Sequence, residues 1–428
     1  MKIKVILSCI LICGILIYFL NDEKKIKNIK FSKEHYSEVI PIDENISFLK
    51  KDNKYVYLNG NIKNDVNYTK IIKLSKNYLK VVEDREKLLN KQNAYLELPK
   101  FETIESISED RYVLLKNNGN YFYYDLLEKK IITDLYEKLG NFKENRAYFV
   151  RNGMLGFLDE NGEEIIENIY SAVGEFTNGY AIVVKNEGEK YSVINKFGFE
   201  IFRDCDYVKI YSDSEFILKK DKKNILKTKY GEFETEDLIE HLKSGFYLIS
   251  KGNIHRIFSS EKQKTIKELN GEYLGISKDT ILIKIKDGVL AYNFIDGKER
   301  LLKYDDIRKY EEDYIIGVKD EKLNLILKNG KTILKGFDLV YPKAFEMFIV
   351  GEESGYGVLN ENGERLLESK YDEIQLTPEY IIVEENEKKG IFNKYGERIL
   401  DTKYIDIQYR NGHIYTLDED GWRYSLLN

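Results

Sequence analysis

Residues 356–386, YGVLNENGERLLESKYDEIQLTPEYIIVEEN, decide the fold. YGVLN (356–360) reads as a strand, and Asn362-Gly363 supplies the positive φ that a tight hairpin needs before 364–368 (ERLLE) returns the chain. A short connection at Ser369-Lys370 leads into 371–377 (YDEIQLT), and Pro378-Glu379 turns the chain into 380–386 (YIIVEEN). The segment predicts four short strands in a meander. Tyr371 and Ile374 do not alternate strictly, so a bulge is expected near them.

The same pattern recurs along the chain. Gly297, Gly330, Gly363 and Gly396 follow one another every 33 residues, and Gly198 and Gly231 lie on the same grid, with Lys264 between Gly231 and Gly297. Upstream the interval widens to 34–36 residues through Gly162, Glu128, Ala94 and Gly60, which makes eleven registers, eight of them Gly. Five of the eight are Asn-Gly or Asp-Gly pairs (at Gly60, Gly162, Gly297, Gly330 and Gly363), the signature of a hairpin turn. An aromatic mark follows each turn: Tyr68, Phe101, Tyr136, Tyr170, Tyr207, Tyr273, Tyr304, Phe337, Tyr371 and Tyr404, with Leu238 in the remaining register. Aliphatic residues trail the mark by three, as in Ile71, Ile104, Leu139, Val173, Ile307, Val340, Ile374 and Ile407. The periodic aromatics are expected in the core. No part of this body has a sustained helical period; 233–243 (FETEDLIEHLK) is the best candidate for a short helix.

The ends of the array look like halves of a unit. Residues 36–51 begin with Tyr36 at the aromatic mark, and 421–428 (GWRYSLLN) resemble a first half. Together they complete one unit by strand exchange, or each is the frayed cap of an open array.

The unit 152–184, NGMLGFLDENGEEIIENIYSAVGEFTNGYAIVV, resembles the bacterial WG (KWG) repeat through Gly156, Asp159, Gly162, Ile165, Ile166, Tyr170, Phe176, Gly179, Ala181 and Val183. Units 354–386 and 387–420 resemble it through Gly357, Gly363, Tyr371-Asp372, Gly390, Gly396 and Tyr404. The tryptophan that names that family is replaced by Leu155, Tyr356 and Lys389, and Trp422, the only Trp, is followed by Arg423 instead of Gly. The resemblance covers roughly residues 32–428 and implies a tandem all-β binding or structural protein with no common catalytic residues. Together with the meander it favours a β-propeller-like array, an open β-superhelix being the alternative.

Ahead of the repeats, residues 5–20 (VILSCILICGILIYFL) are sixteen uncharged residues preceded by Lys2 and Lys4. They predict an N-terminal signal anchor over 1–20, followed by a linker over 21–31 and the repeat domain over 32–428. A cleaved signal peptide lacks its small-residue site here, since Tyr18, Phe19 and Leu20 are large. In a lipoprotein reading, Cys9 in Leu7-Ser8-Cys9 is the lipidated residue. The anchor places the body outside the cytoplasm, in the periplasm or at the cell surface. Cys9 and Cys13 fall in the apolar run, so Cys205 is the only body cysteine, read as a buried inert thiol.

Lys+Arg 67 against Asp+Glu 73 gives a net charge of -6 with the signs interspersed, which excludes nucleic acid as the main partner. His35, His241, His255 and His413 lie in unrelated registers, and no zinc, redox, hydrolase or nucleotide motif is present. Residues 159–164 (DENGEE) start like a calcium loop but place Tyr170 where its final Glu should be, so a hairpin turn is the better reading. The acidic run Asp418-Glu419-Asp420 reads as a solvated turn. No catalytic residue, metal or cofactor is expected. Three function classes follow: an anchored binding module for a protein or surface glycan, a purely structural envelope protein, and a glycan-active enzyme. Tyrosines off the grid, among them Tyr121, Tyr123, Tyr124, Tyr191 and Tyr310, are the candidates for an exposed aromatic binding face.

Overall fold

The computed structural model describes residues 29–43, 46–59, 62–243, 245–327, 333–410 and 412–425. Gly60, Gly330, Cys9 and the apolar run 5–20 lie outside the described residues. Regular structure among the described residues is entirely β, in twelve antiparallel meander sheets, eleven of four strands and one of three. The sheets span residues 38–66, 70–96, 103–131, 138–170, 172–205, 207–235, 238–270, 272–302, 306–337, 339–371, 373–404 and 406–424, and are called first to twelfth in that order. This is the all-β, propeller-type fold that the repeat predicts. The candidate helix at 233–243 is instead the end of one strand, Gly231–Thr235, and the whole of another, Leu238–Lys243. Tertiary packing overrides its local pattern: Phe233 pairs with Leu226 and stacks on Phe258 of the next sheet, with ring centroids 4.7 Å apart.

The sequence unit and the structural sheet are out of phase. Strand Arg365–Tyr371 runs through Ser369-Lys370, where a connection was expected, and the passage to the next sheet falls at Asp372. Gly162, Gly198, Gly297, Gly363 and Gly396 therefore lie between the third and fourth strands of their sheets. The backbone reason differs from a two-residue Asn-Gly hairpin. Asp159, Asn195, Asn360 and Asn393 each accept the N–H of the glycine three residues on, at 3.0 Å, and that glycine has φ between 82° and 85°. The Asp or Asn side chain caps the same turn: Asp159 Oδ1 accepts from the N–H groups of Asn161 and Glu163, at 2.9 Å each. This is a type I turn closed by a left-handed glycine. The two-residue hairpins with positive φ at both central positions join the second and third strands instead, at Asn118-Gly119, Asn152-Gly153 and, without glycine, Asp52-Asn53 and Asn386-Glu387. Gly231 departs from the grid pattern and opens a strand opposite Thr228.

A second glycine position explains the resemblance at Gly156, Gly357 and Gly390. Opposite each one the fourth strand shifts register, as at Leu155/Phe157, Tyr356/Val358 and Lys389/Ile391. The bulged strand folds over the third: a Cβ on Gly357 would lie 2.7 Å from the Leu367 carbonyl, and one on Gly390 would lie 2.8 Å from Thr402 Oγ1. The residue before this glycine pairs across the strands with the aromatic mark, in the couples Leu155–Tyr170, Tyr356–Tyr371 and Lys389–Tyr404. Tyr68, Tyr136, Tyr170, Phe337, Tyr371 and Tyr404 are buried, while Phe101, Tyr273 and Tyr304 are half-buried. Tyr207 is a correction, being 48% exposed; the buried residue in that register is Cys205, which pairs with Tyr191.

The chain divides into two compact units, one from Tyr68 to Ile307 and one formed by the parts that flank it. Within each, the core lies between neighbouring sheets. Tyr112, Leu114 and Tyr123 of the third sheet pack on Leu139, Phe149 and Leu158 of the fourth. Ile316 and Leu325 of the ninth pack in the same way on Phe348 and Leu359 of the tenth. Burying one such side chain stabilises by about 1.5–3 kcal/mol, so a sheet gains its stability from its neighbours more than from itself.

The flanking unit contains the two ends of the array, and they join. Tyr36 and Trp422 exchange both backbone bonds, at 2.9 and 2.7 Å, and Ser32 N–H donates to the Tyr424 carbonyl at 2.9 Å. Residues 31–36 thus serve as the fourth strand of the twelfth sheet, and the frayed-cap alternative is not what the structure has. Among the described residues eleven sheets have four strands, and the exchange completes the twelfth.

The glycine turns differ in what surrounds them, and this is testable. A Cβ on Gly297 (φ 74°) meets nothing within 4 Å, whereas one on Gly396 (φ 85°) would lie 2.6 Å from the Leu366 carbonyl of the preceding sheet. Gly297→Ala is expected to cost about 1 kcal/mol from backbone strain, and Gly396→Ala about 2–3 kcal/mol or more. Equal shifts in urea midpoint would contradict the close approach between sheets.

Candidate functional site

In the Tyr68–Ile307 unit, the loops that follow the first strand of each sheet form a row of clasps. Ser75 Oγ and Asn77 Nδ2 donate to Asp110 across the second and third sheets, at 2.5 and 2.7 Å. Glu144 accepts the N–H groups of Asn178 and Gly179, at 2.7 and 2.9 Å, between the fourth and fifth. Tyr180 Oη donates to the Asp213 carbonyl, Gly245 N–H to Glu215, and Lys243 Nζ to Asp279, carrying the row on to the eighth sheet. Burial alone would raise the Glu144 carboxyl, but the two N–H bonds and Lys196 outweigh it and hold it below the usual carboxylate range.

At the junction of the sixth and seventh sheets the row opens into a cleft of about 140 Å³, lined in part by Ser214, Glu215, Lys229, Tyr230, Phe246 and Ser259. Glu215 is buried, and its Oε1 accepts from Gly245 N–H at 2.9 Å and from Tyr247 Oη at 2.8 Å. His241 stands behind it, with Nε2 3.7 Å from Glu215 Oε2. Its ring is stacked on Tyr211 at 4.2 Å and edge-on to Tyr247 at 5.4 Å. Burial lowers the His241 pKa from its ordinary value, against the opposing pull of Glu215. Burial and the bond to Glu215 push the Tyr247 hydroxyl up.

The off-grid tyrosines do not assemble as one exposed face. Tyr123 and Tyr124 are buried, Tyr121 and Tyr310 are half-buried, and Tyr191 is exposed. Exposed rings lie instead beside the grid glycines: Phe197 and Phe199 around Gly198, Tyr230 before Gly231, and Tyr395 before Gly396. Their signal in the sequence is adjacency to a turn glycine, where a side chain has no neighbouring strand to cover it.

The remaining histidines and the carboxylates of the Asp159 and Asp418 turns have structural partners. Asp159 caps its own hairpin turn. His255 bonds Ser250 and the Gly271 carbonyl, and His413 bonds the Ser425 carbonyl. His35, Asp418 and Asp420 have ligand-type atoms within 4.8 Å of one another, but Arg423 engages the Asp418 carboxylate at 2.5 Å, so the trio reads as ion pairing within the turn. Cys205 is buried, burial pushes its thiol up, and it sits beneath a second cleft, of about 230 Å³, together with Ile201, Phe202, Leu218 and Ile225.

His241 sets a pH dependence with a definite sign. Its folded pKa lies below that of the unfolded chain, so its contribution to stability is complete above about pH 6.5 and is lost as pH falls from there through the folded pKa. The groups that face it are Glu215, Lys209, Tyr211 and Tyr247. Replacement by Phe, which keeps the stacking, is expected to flatten the fall in melting temperature between pH 7 and about pH 5. An unchanged slope would contradict a neutral, half-buried imidazole.

Residues 156–191 match the family described as WG containing repeat. No curated protein matches the sequence. Among solved structures, the chain is similar to PorZ, a surface component of the type-IX secretion system of Porphyromonas gingivalis, at 8% identity and TM-score 0.22 over 94% of this chain and 87% of that one. It is also similar to the extracellular domain of a putative one component system from B. thetaiotaomicron, at 11% identity and TM-score 0.22 over 93% and 82%. A third is virginiamycin B lyase from Staphylococcus aureus, at 15% identity and TM-score 0.22 over 50% and 90%. Residues 156–191 thus carry a WG repeat, and its glycine and cross-strand aromatic recur in later sheets, at Gly357 with Tyr371 and at Gly390 with Tyr404.

Proposed function

We propose that this chain is an exported, membrane-anchored binding module of the cell envelope, with no catalytic activity of its own. The observation that carries the reading is the repeated loop row, which presents successive sheets in one register and opens into a cleft at one junction. Repeat proteins use such surfaces to hold extended partners. The sixteen-residue apolar run 5–20 supports the anchor and a body outside the cytoplasm, in the periplasm or at the cell surface. The partner is a surface glycan or a protein, not a nucleic acid, since basic and acidic groups pair with each other across the surface, as Lys143 does with Glu175 and Lys223 with Glu234. Exposed rings such as Phe197, Phe199 and Tyr230 supply stacking area that salt does not screen.

Full-length protein in mild detergent is expected to co-sediment with purified cell-wall glycan, or to retain a partner from envelope extract, both at low salt and at about 0.5 M salt. Retention at neither salt would contradict the binding reading and favour a purely structural role. Retention lost at the higher salt would transfer the contact to the paired charges.

A further inference from the structure

We propose that the loops of the tenth and eleventh sheets that carry Tyr341, Phe345 and Tyr395 lie against the headgroup surface of the membrane that holds residues 5–20. The proposal rests on the anchored reading and adds to it a second contact, made by the folded body.

The path of the chain gives the direction. Phe31 pairs with Ser425, whose N–H donates to the Ile414 carbonyl, while Tyr36 pairs with Trp422, which lies opposite Leu417. Residues 31–36 therefore enter the twelfth sheet at the end where its first and second strands join, and run toward the hairpin at Glu419-Asp420. In a meander the join of the third and fourth strands shares that entry end. In the eleventh sheet the two joins touch there, Lys394 N–H donating to the Glu379 carbonyl at 3.1 Å. Eight residues, 21–28, separate the apolar run from Ile29, which packs beside Ile382, Ile391 and Ile407. Fully extended they reach about 29 Å at most, so the entry end is tethered close to the bilayer.

The two ends of these sheets expose different chemistry. Among the described residues of the tenth to twelfth sheets, Tyr341, Phe345 and Tyr395 are exposed at the entry end. The hairpins at the far end present Glu353-Ser354, Asn386-Glu387 and Glu419-Asp420, and Ile405 is the one exposed large apolar side chain there.

Phe345 is the clearest departure from the repeat. Ala344 and Met347 exchange both backbone bonds at 2.9 Å, so Phe345 and Glu346 are the central pair of a hairpin, with φ of 49° and 65°. The fourth and fifth sheets make the same turn with Glu144-Asn145 and Asn178-Gly179. Asn and Gly suit the left-handed region; a bulky ring there is strained, and an exposed one gains little packing in return. Just before the turn those two sheets bury Phe142 and Phe176, where the tenth has Lys343. The aromatic has moved from the core to the tip, where only a surface outside the fold can cover it. Tyr341 and Tyr395 suit a headgroup layer, which takes the apolar ring and keeps the hydroxyl wet. Charge does not supply the contact. Exposed Glu346, Glu361 and Glu379 share this end with Lys394, whose Nζ lies 5.2 Å from the Tyr395 ring centroid, so anionic lipid is not required.

The test places full-length protein in phosphatidylcholine vesicles, with and without phosphatidylglycerol, and reads quenching of tryptophan fluorescence by brominated lipid. Trp422 is the only native tryptophan and belongs to the strand that starts at the far hairpin, so the parent protein reports the background. Phe345→Trp and Tyr395→Trp are expected to raise quenching at least twofold over the parent in both lipids, and Glu353→Trp at the far end to add none. Phe345→Asn, which suits the turn, is expected to leave the melting temperature unchanged or raise it by about 2–4 °C. A fall of several degrees would place the ring in the core and overturn the proposal. Protein that floats with the vesicles but shows no more quenching at 345 and 395 than at 353 overturns the proposal and leaves the anchored module standing. Protein that does not float with vesicles at all contradicts the anchor, and the proposal falls with it. Loss of a retained envelope protein in Phe345→Asn, without lipid quenching at 345, would assign the tip to a protein partner and likewise overturn it.

Discussion

The paired backbone bonds between Tyr36 and Trp422 join the two ends of the array, and the flanking unit depends on them. A meander sheet in such an array has few contacts of its own and is stabilised by the sheets on either side. Without the exchange, the twelfth sheet would expose an unpaired edge and the first would lose the neighbour on which Leu49 and Leu58 pack. With it, Tyr36 and Tyr424 stand 6.1 Å apart in one core with Leu49, Leu58 and Tyr415, and Ser47 Oγ lies 2.8 Å from Tyr415 Oη. Ile29 and Phe31 reach the other side, against Ile382, Ile391 and Ile407. Trp422 occupies the register that Tyr356 holds in the tenth sheet, opposite Tyr36 as Tyr356 is opposite Tyr371. The only tryptophan thus sits at the position the repeat reserves for one, in the sheet that joins the ends.

The fold was legible because glycine is required wherever φ is positive beside a neighbouring backbone. Gly162 and Gly396 mark such turns, and the grid they belong to counts the sheets. The turn geometry was not legible from the Asn-Gly pair alone, because the deciding residue is the Asp or Asn three positions before the glycine, whose carbonyl and side chain both cap the turn. Tyr207 was misplaced for a related reason: the residue pairing with Tyr191 is set by a bulge, and the bulge puts Cys205 in the buried register. Residues 233–243 illustrate local pattern yielding to context, since Phe233 gains more from Phe258 in the next sheet than from a short isolated helix.

The candidate site was far less legible. Its lining comes from four loops between Ser214 and Glu261, and in the sequence Glu215 is one of 73 acidic residues with nothing to set it apart. What distinguishes it is burial and its partners, Gly245, Tyr247 and His241, which only the stacking of the sixth sheet on the seventh brings together. The same stacking gives loops in equivalent positions different partners, the Asn178 and Gly179 N–H groups at Glu144, and Gly245 N–H with Tyr247 Oη at Glu215. Function in such an array is written in the departures from the repeat.

The account's central claim is that the two ends form one sheet. Amide hydrogen exchange read by mass spectrometry tests it directly, on peptides covering residues 31–37 and 421–425. The account predicts exchange there as slow as in the interior strand Tyr380–Glu385, and simultaneous loss of protection in 31–37 when the chain is truncated after Asp420. Fast exchange at 31–37 in the intact protein would contradict it.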